Sequence, residues 1–280
     1  TILQDKNKIT SAMRYSALAE SKCIRAGLIF ASGKLNKNLS DKALIDMATS
    51  VELMHTYSLI HDDLPSMDND DMRRGQASNH IRFNEATAIL TGDALQALAY
   101  ETIVSSSEIN EHQKIATIKA LTKACGHNGM ILGQQYDLDA ENNEYNDIKN
   151  IHSLKTGKLI QVAVTMPHIG DQNQKIEYEI LDEVGESLGL AFQIIDDVHD
   201  YENKDNEYIN ILNVMTKDDA LETCYRYEVE ANSLREKLLP NKKNRMNDIL
   251  SFIIKSNLYF TNFSTASINS LELILYSFIK

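Results

Sequence analysis

The stretch from Asp41 to Gly75, DKALIDMATSVELMHTYSLIHDDLPSMDNDDMRRG, opens as an apolar run and closes as a charged one. Leu44, Met47, Ala48, Val51, Leu53, Met54, Tyr57 and Leu59 recur at mixed spacings of three and four, the period of a helix buried over much of its surface. Pro65 cannot continue that helix and pushes Leu64 towards extended geometry, so the helix is expected to end near Asp63. Seven charged side chains then lie between Asp62 and Arg74, on a loop that can bring Asp68 back to the helix end.

Other segments repeat the helical pattern: 84–104, 115–141 with small residues at Gly126, Gly129 and Gly133, 151–166, and 179–200. Three prolines and 11 glycines are few for 280 residues, and no glycine follows Gly189, so long helices are expected and tight turns are scarce. With 43% hydrophobic residues and no internal linker or repeat, the expectation is an all-α protein with one domain over 1–280. Residues 257–280 read as a C-terminal extension.

A formal charge of −12 argues against general affinity for nucleic acid or an anionic membrane. Cys23, Cys125 and Cys224 show no paired metal spacing, which favours reduced thiols and a cytoplasmic protein. No leader is apparent and no apolar run reaches about 18 residues, so no stable membrane insertion is expected.

Chemistry concentrates in two acidic sets. Asp62, Asp63 and Asp68 form one; Asp196, Asp197 and Asp200 form the other, with Asp196 and Asp200 one helical turn apart. An isolated Asp pair is most simply a solvated helix end. Both sets here terminate apolar runs, HTYSLI and GLAFQII, and like charges at contact repel by roughly 4 kcal/mol at an effective dielectric near 20. All-oxygen donors of this kind suit magnesium, which keeps several waters and bridges carboxylates to substrate phosphates. Lys22, Arg25, Arg73, Arg74 and Lys155 supply positive charge suited to a diphosphate. No Walker loop or Gly-x-Ser-x-Gly elbow occurs, and His55 and His61 lack zinc spacing.

HTYSLIHDDLPSMDNDDMRRG together with FQIIDDVHD resembles the trans-prenyltransferases, most closely the bacterial farnesyl diphosphate synthase type. AILTGDALQALA, LGQQYDLDAE and HSLKTGKLI extend the likeness. The resemblance implies an isoprenoid synthase-type helical bundle around a deep central cavity, about three magnesium ions, and a homodimer. It implies condensation of isopentenyl diphosphate with dimethylallyl and geranyl diphosphate, the departing diphosphate removing the final proton. By position it makes Asp62, Asp68, Asp196 and Asp200 metal ligands, with Asp63 in support. Arg73, Lys155, Thr156 and Gln193 would contact the allylic substrate, and Lys22, Arg25, His55 and Arg74 isopentenyl diphosphate. Tyr57, with Ser58 beside it, would close the floor of the cavity and set product length.

Two segments depart from the pattern. ESKCIRA stands where the family carries Gly-Gly-Lys-Arg-Leu-Arg-Pro, keeping Lys22 and Arg25 but losing the glycines, one Arg and the Pro. The loop after Asp200, YENKDNEYINIL, is short and has no glycine. A class I terpene cyclase, or a weakly active regulatory or scaffold subunit of a prenyltransferase, are the alternatives these residues leave open.

Overall fold

The computed structural model describes residues 7–141, 147–171, 173, 175–203 and 210–236. The extension at 257–280 lies outside them, as do residues 204–209 of the short loop. Among the described residues the expected all-α character holds, apart from one short hairpin. The described residues divide into two compact units, one containing 7–27 and 40–110, the other 28–39 and those from 111 to 236.

In the first unit, α1 (Lys8–Ala17), α3 (Asp41–Asp62), α4 (Asn79–Phe83) and α5 (Glu85–Ser105) pack together. Ser40 starts α3 by accepting the Ala43 N–H at 3.2 Å, as an N-cap should. The helix then buries residues on every side, including Leu44, Met47, Val51 and Met54, against an α5 face containing Leu95, Ala99 and Ile103. Ser50 Oγ reinforces that contact by donating to the Ala99 carbonyl at 2.8 Å. The helix ends at Asp62 with Asp63 as its C-cap, where Pro65 was expected to stop it.

The hairpin was not expected. β1 (Met72–Arg73) pairs antiparallel with β2 (Gln76–Ala77) through an Arg74–Gly75 turn in which both residues have positive φ. Such two-residue turns match strand twist and usually carry Asn or Gly at the first position, so Arg74 gives no sequence signal for one. Tyr15 Oη of α1 donates to the Ala77 carbonyl at 2.8 Å and fastens the hairpin.

The second unit contains α6 (Glu111–Cys125), α7 (Met130–Glu141), α8 (Ile148–His152), α9 (Lys158–Thr165), α10 (Lys175–Asn203) and α11 (Lys217–Glu236). Helix α2 (Ile24–Gly33) begins in residues of the first unit and continues in the second. The single helix expected over 115–141 is two, because a turn spans Gly126–Gly129, closed by Gly129 N–H donating to the Gly126 carbonyl at 2.9 Å. Between α8 and α9, Ser153–Gly157 form one π-helical turn. Packing of α10 on α9 and α11 buries Leu181, Val184 and Leu188, and a smaller cluster gathers Ile148, Ile194, Val198 and Ile211.

Candidate active site

In the first unit the acidic loop folds back as its sequence suggested. Asp68 N–H donates to the Asp62 carbonyl at 2.9 Å, and Asn69 N–H to that of Leu64 at 3.1 Å. That turn places Asp62 and Asp68 at its two ends, half-buried and exposed respectively. Asp63 points elsewhere. Only 2% exposed, it receives Arg73 Nε at 2.7 Å, while Arg73 Nη2 lies 2.6 Å from Asp63 and 2.7 Å from Asp70. Burial raises the Asp63 pKa, with Arg73 opposing. For Arg73, burial acts downward but Asp63, Asp70 and Asp62 outweigh it, so the guanidinium is held charged. Both short contacts favour the ionised pair. Arg73 is therefore a clamp inside the acidic loop, and Asp70 belongs to the same unit of structure although sequence reasoning passed over it.

Arg74 faces a different set. Its pKa is lowered by burial, and Glu52 opposes that shift more than any other charge. His55, one turn further along α3, is driven well below the ordinary imidazole pKa, first by burial and then by Arg25, Arg74 and Arg73. Three guanidiniums thus act on one neutral imidazole, and three of the four residues assigned to isopentenyl diphosphate come together. The fourth, Lys22, is exposed.

Tyr57 is buried on α3, and Ser58 Oγ donates to the His55 carbonyl at 2.9 Å. The Tyr57 ring meets His61 edge to face, with centroids 5.6 Å apart. His61 Nε2 lies 3.1 Å from the Ile89 carbonyl, which can only accept, so this nitrogen carries the proton. A methyl at Gly92 would strike the His61 ring, so the glycine leaves it room.

In the second unit, Lys155 and Thr156 lie on the π turn, a form often found at functional positions. Lys155 Nζ is ion-paired to Asp137 of α7, in the LGQQYDLDAE stretch, an acid to which the sequence gave no role. Close approach makes this possible: a Cβ at Gly133 would collide with the Lys155 backbone, and one at Gly189 of α10 would lie 2.7 Å from Gly157 Cα.

Asp196 on α10 is half-buried. Its neighbour Asp197 is fully buried and accepts from Gln193 Nε2 at 3.0 Å and from Ile211 N–H at 2.6 Å. The Asp197 carbonyl accepts Asn210 Nδ2 at 2.7 Å, and His152 Nε2 lies 3.4 Å from its carboxylate. Asp197 is thus a structural knot beneath Asp196, and Gln193 is bound to it. The Asp200 side chain lies outside the described residues.

Among the described residues no group of three or more His, Cys, Asp or Glu side chains is gathered as a cation site. Asp62 and Asp68 offer only oxygen, and an ion held by so few carboxylates would complete its shell with water and ligand oxygens, the habit of magnesium.

The polyprenyl synthetase family model matches residues 6–218. A farnesyl diphosphate synthase of Haemophilus influenzae is 40% identical over 207 residues, covering 71% of this chain and 68% of its own. The farnesyl diphosphate synthase of Micrococcus luteus is 41% identical over 200 residues, 70% of this chain and 68% of its own. The crystal structure of a geranyltransferase from Legionella pneumophila superposes with a TM-score of 0.81 at 33% identity, over 91% of this chain and 90% of that one. Since the matched span includes both acidic motifs and the cationic residues set out above, this chain belongs to the polyprenyl synthetase family.

Proposed function

We propose that the protein is a trans-prenyltransferase that condenses isopentenyl diphosphate with dimethylallyl and then geranyl diphosphate to give farnesyl diphosphate. The observation that carries this reading is the convergence of Arg25 and Arg74 on His55, cations additional to the Arg73 that the acidic loop holds for itself. An enzyme joining two diphosphates needs a cationic site for the acceptor besides the carboxylates that handle the donor. A cyclase working on one diphosphate does not.

Asp62, Asp68, Asp196 and Asp200 are the proposed metal ligands, and Lys155 and Thr156 the proposed contacts of the allylic diphosphate. Magnesium bound by these carboxylates would neutralise charge on the leaving diphosphate. Lys155 adds a point charge to the same end, and fixed charges that meet developing charge are commonly the largest catalytic term. Neutral His55 offers an N–H to a phosphate oxygen while Arg25 and Arg74 offer charge. No side-chain base is required where the departing diphosphate accepts the proton.

The family model runs through residues of both units, which supports one catalytic domain. A second copy is the proposed partner, in keeping with exposed apolar Ile89 and Leu90 on α5. No helix among the described residues is long and apolar enough to cross a membrane.

The test is purified protein with magnesium, labelled isopentenyl diphosphate and geranyl diphosphate, followed by product chromatography. A fifteen-carbon diphosphate is expected, and Asp62→Ala and Asp196→Ala should each lower turnover by at least about 100-fold. Hydrocarbon formed from farnesyl diphosphate alone would favour a cyclase. No condensation with any allylic diphosphate would favour the regulatory subunit.

A further inference from the structure

Glu52 has no part in the chemistry above, yet it is a carboxylate buried in the middle of a helix. Its Oε1 accepts the backbone N–H of Ala26 at 2.9 Å. Ala26 is the third residue of α2, so the bond satisfies one of the donors that a helix start leaves open, and an acid suits that positive end. Arg25 sits immediately before it. The motif that this segment resembles has proline here, which has no N–H to donate. The loss of that proline and the presence of this hydrogen bond go together.

Backbone geometry points to the same place. Among the described residues, Cys23 at φ 46° and Arg74 at φ 53° are the only left-handed residues that are neither glycine nor asparagine. This conformation is strained for an L-residue, and it persists where the surroundings fix it. Cys23 is the residue before α2, its carbonyl accepting Gly27 N–H at 2.9 Å. Among the charges acting on Arg74, that of Glu52 is the strongest. The two strained positions therefore lie in the segment that Glu52 hydrogen-bonds and in the one whose arginine it acts on, and both segments carry acceptor-site cations.

We propose that Glu52 is a positioning residue for the acceptor: from the rigid α3 it anchors the start of α2, so that Arg25 stands ready beside His55 and Arg74 for isopentenyl diphosphate. The proposal rests on the acceptor-site reading of those three residues. A negative charge weakens the raw attraction for a diphosphate, so the contribution of Glu52 is geometric, through the reach of its acceptor oxygen. Glutamine keeps that oxygen in place. Aspartate keeps the charge but is one methylene too short.

Glu52→Asp, Glu52→Ala, Glu52→Gln and Arg74→Ala are compared for kcat, for KM towards each substrate and for Tm. The reach-deficient pair, Asp and Ala, are made together so that one folded variant suffices. Each is expected to raise KM for isopentenyl diphosphate at least about tenfold while KM for geranyl diphosphate stays within about twofold; Gln should stay within about threefold of wild type for both. The proposal is overturned if the short variants leave the isopentenyl diphosphate KM unchanged, if they raise both KM values equally, or if Gln is as impaired as Asp. Arg74→Ala separates the two levels. Where it raises that KM and the Glu52 variants do not, only the positioning role falls; where it too changes nothing, the acceptor-site reading falls with it.

Discussion

Adjacent arginines in one motif have different surroundings, and those surroundings assign them different work. Arg73 is bound to the buried Asp63 and to Asp70, whereas Arg74 lies across the turn among Glu52, Arg25 and His55. Arg73→Ala leaves a buried carboxylate without its cation and, with the arginine partly screened by solvent, is expected to cost about 1–3 kcal/mol, measured by urea unfolding. Arg74→Ala should leave the unfolding midpoint near wild type and raise KM for isopentenyl diphosphate more than that for the allylic substrate. Tyr57 is the residue proposed to limit product length. Five residues at a 1.5 Å rise place it about 7.5 Å along α3 from Asp62. Tyr57→Ala should shift product towards twenty carbons or more with little change in the first condensation, read by chromatography. The charges themselves were legible in the sequence; which arginine meets which carboxylate was not, because that depends on a turn whose first residue, Arg74, is an unusual one for it.

At the scale of elements, α3 and α5 were legible because their apolar residues recur at the helical period and Pro65 stops the first; the caps Ser40 and Asn84 were passed over in the sequence. The break between α6 and α7 and the π turn were not. A continuous helix and an interrupted one share the same periodicity over a few residues, and the π turn is set by neighbours distant in sequence. Gly133 shows how: it lets α7 approach the π turn closely enough that an added Cβ would lie 2.7 Å from Lys155 Cα. Gly133→Ala should therefore overpack this contact, destabilising the fold by about 1–3 kcal/mol. It should also move Lys155 enough to lower turnover at least about tenfold. Thermal unfolding and steady-state assay of the same preparation check both effects.

For the molecule as a whole, two histidines tie folding to pH. His152 is brought down to about 4, chiefly by burial, with Asp137 acting upward and Lys155 downward, and His55 is also pushed well below its ordinary value. A histidine depressed in the folded state stabilises it fully above the unfolded pKa near 6.5, and that stability is lost as pH falls towards the folded value. For His152 the loss is on the order of 3 kcal/mol between about pH 6.5 and 4, at 1.36 kcal/mol per pKa unit. Urea midpoints should fall across that window, and His152→Gln should flatten the decline. A different consequence follows from α3, which carries Glu52, His55, Tyr57, His61 and Asp62 on one uninterrupted rod of 22 residues. Adding or deleting a single residue between Tyr57 and Asp62 would turn everything on one side of the change by about 100° relative to the other, besides the 1.5 Å advance. Side chains on this helix can therefore be exchanged one at a time without disturbing the others, whereas a change in its length between these landmarks would uncouple all of them at once.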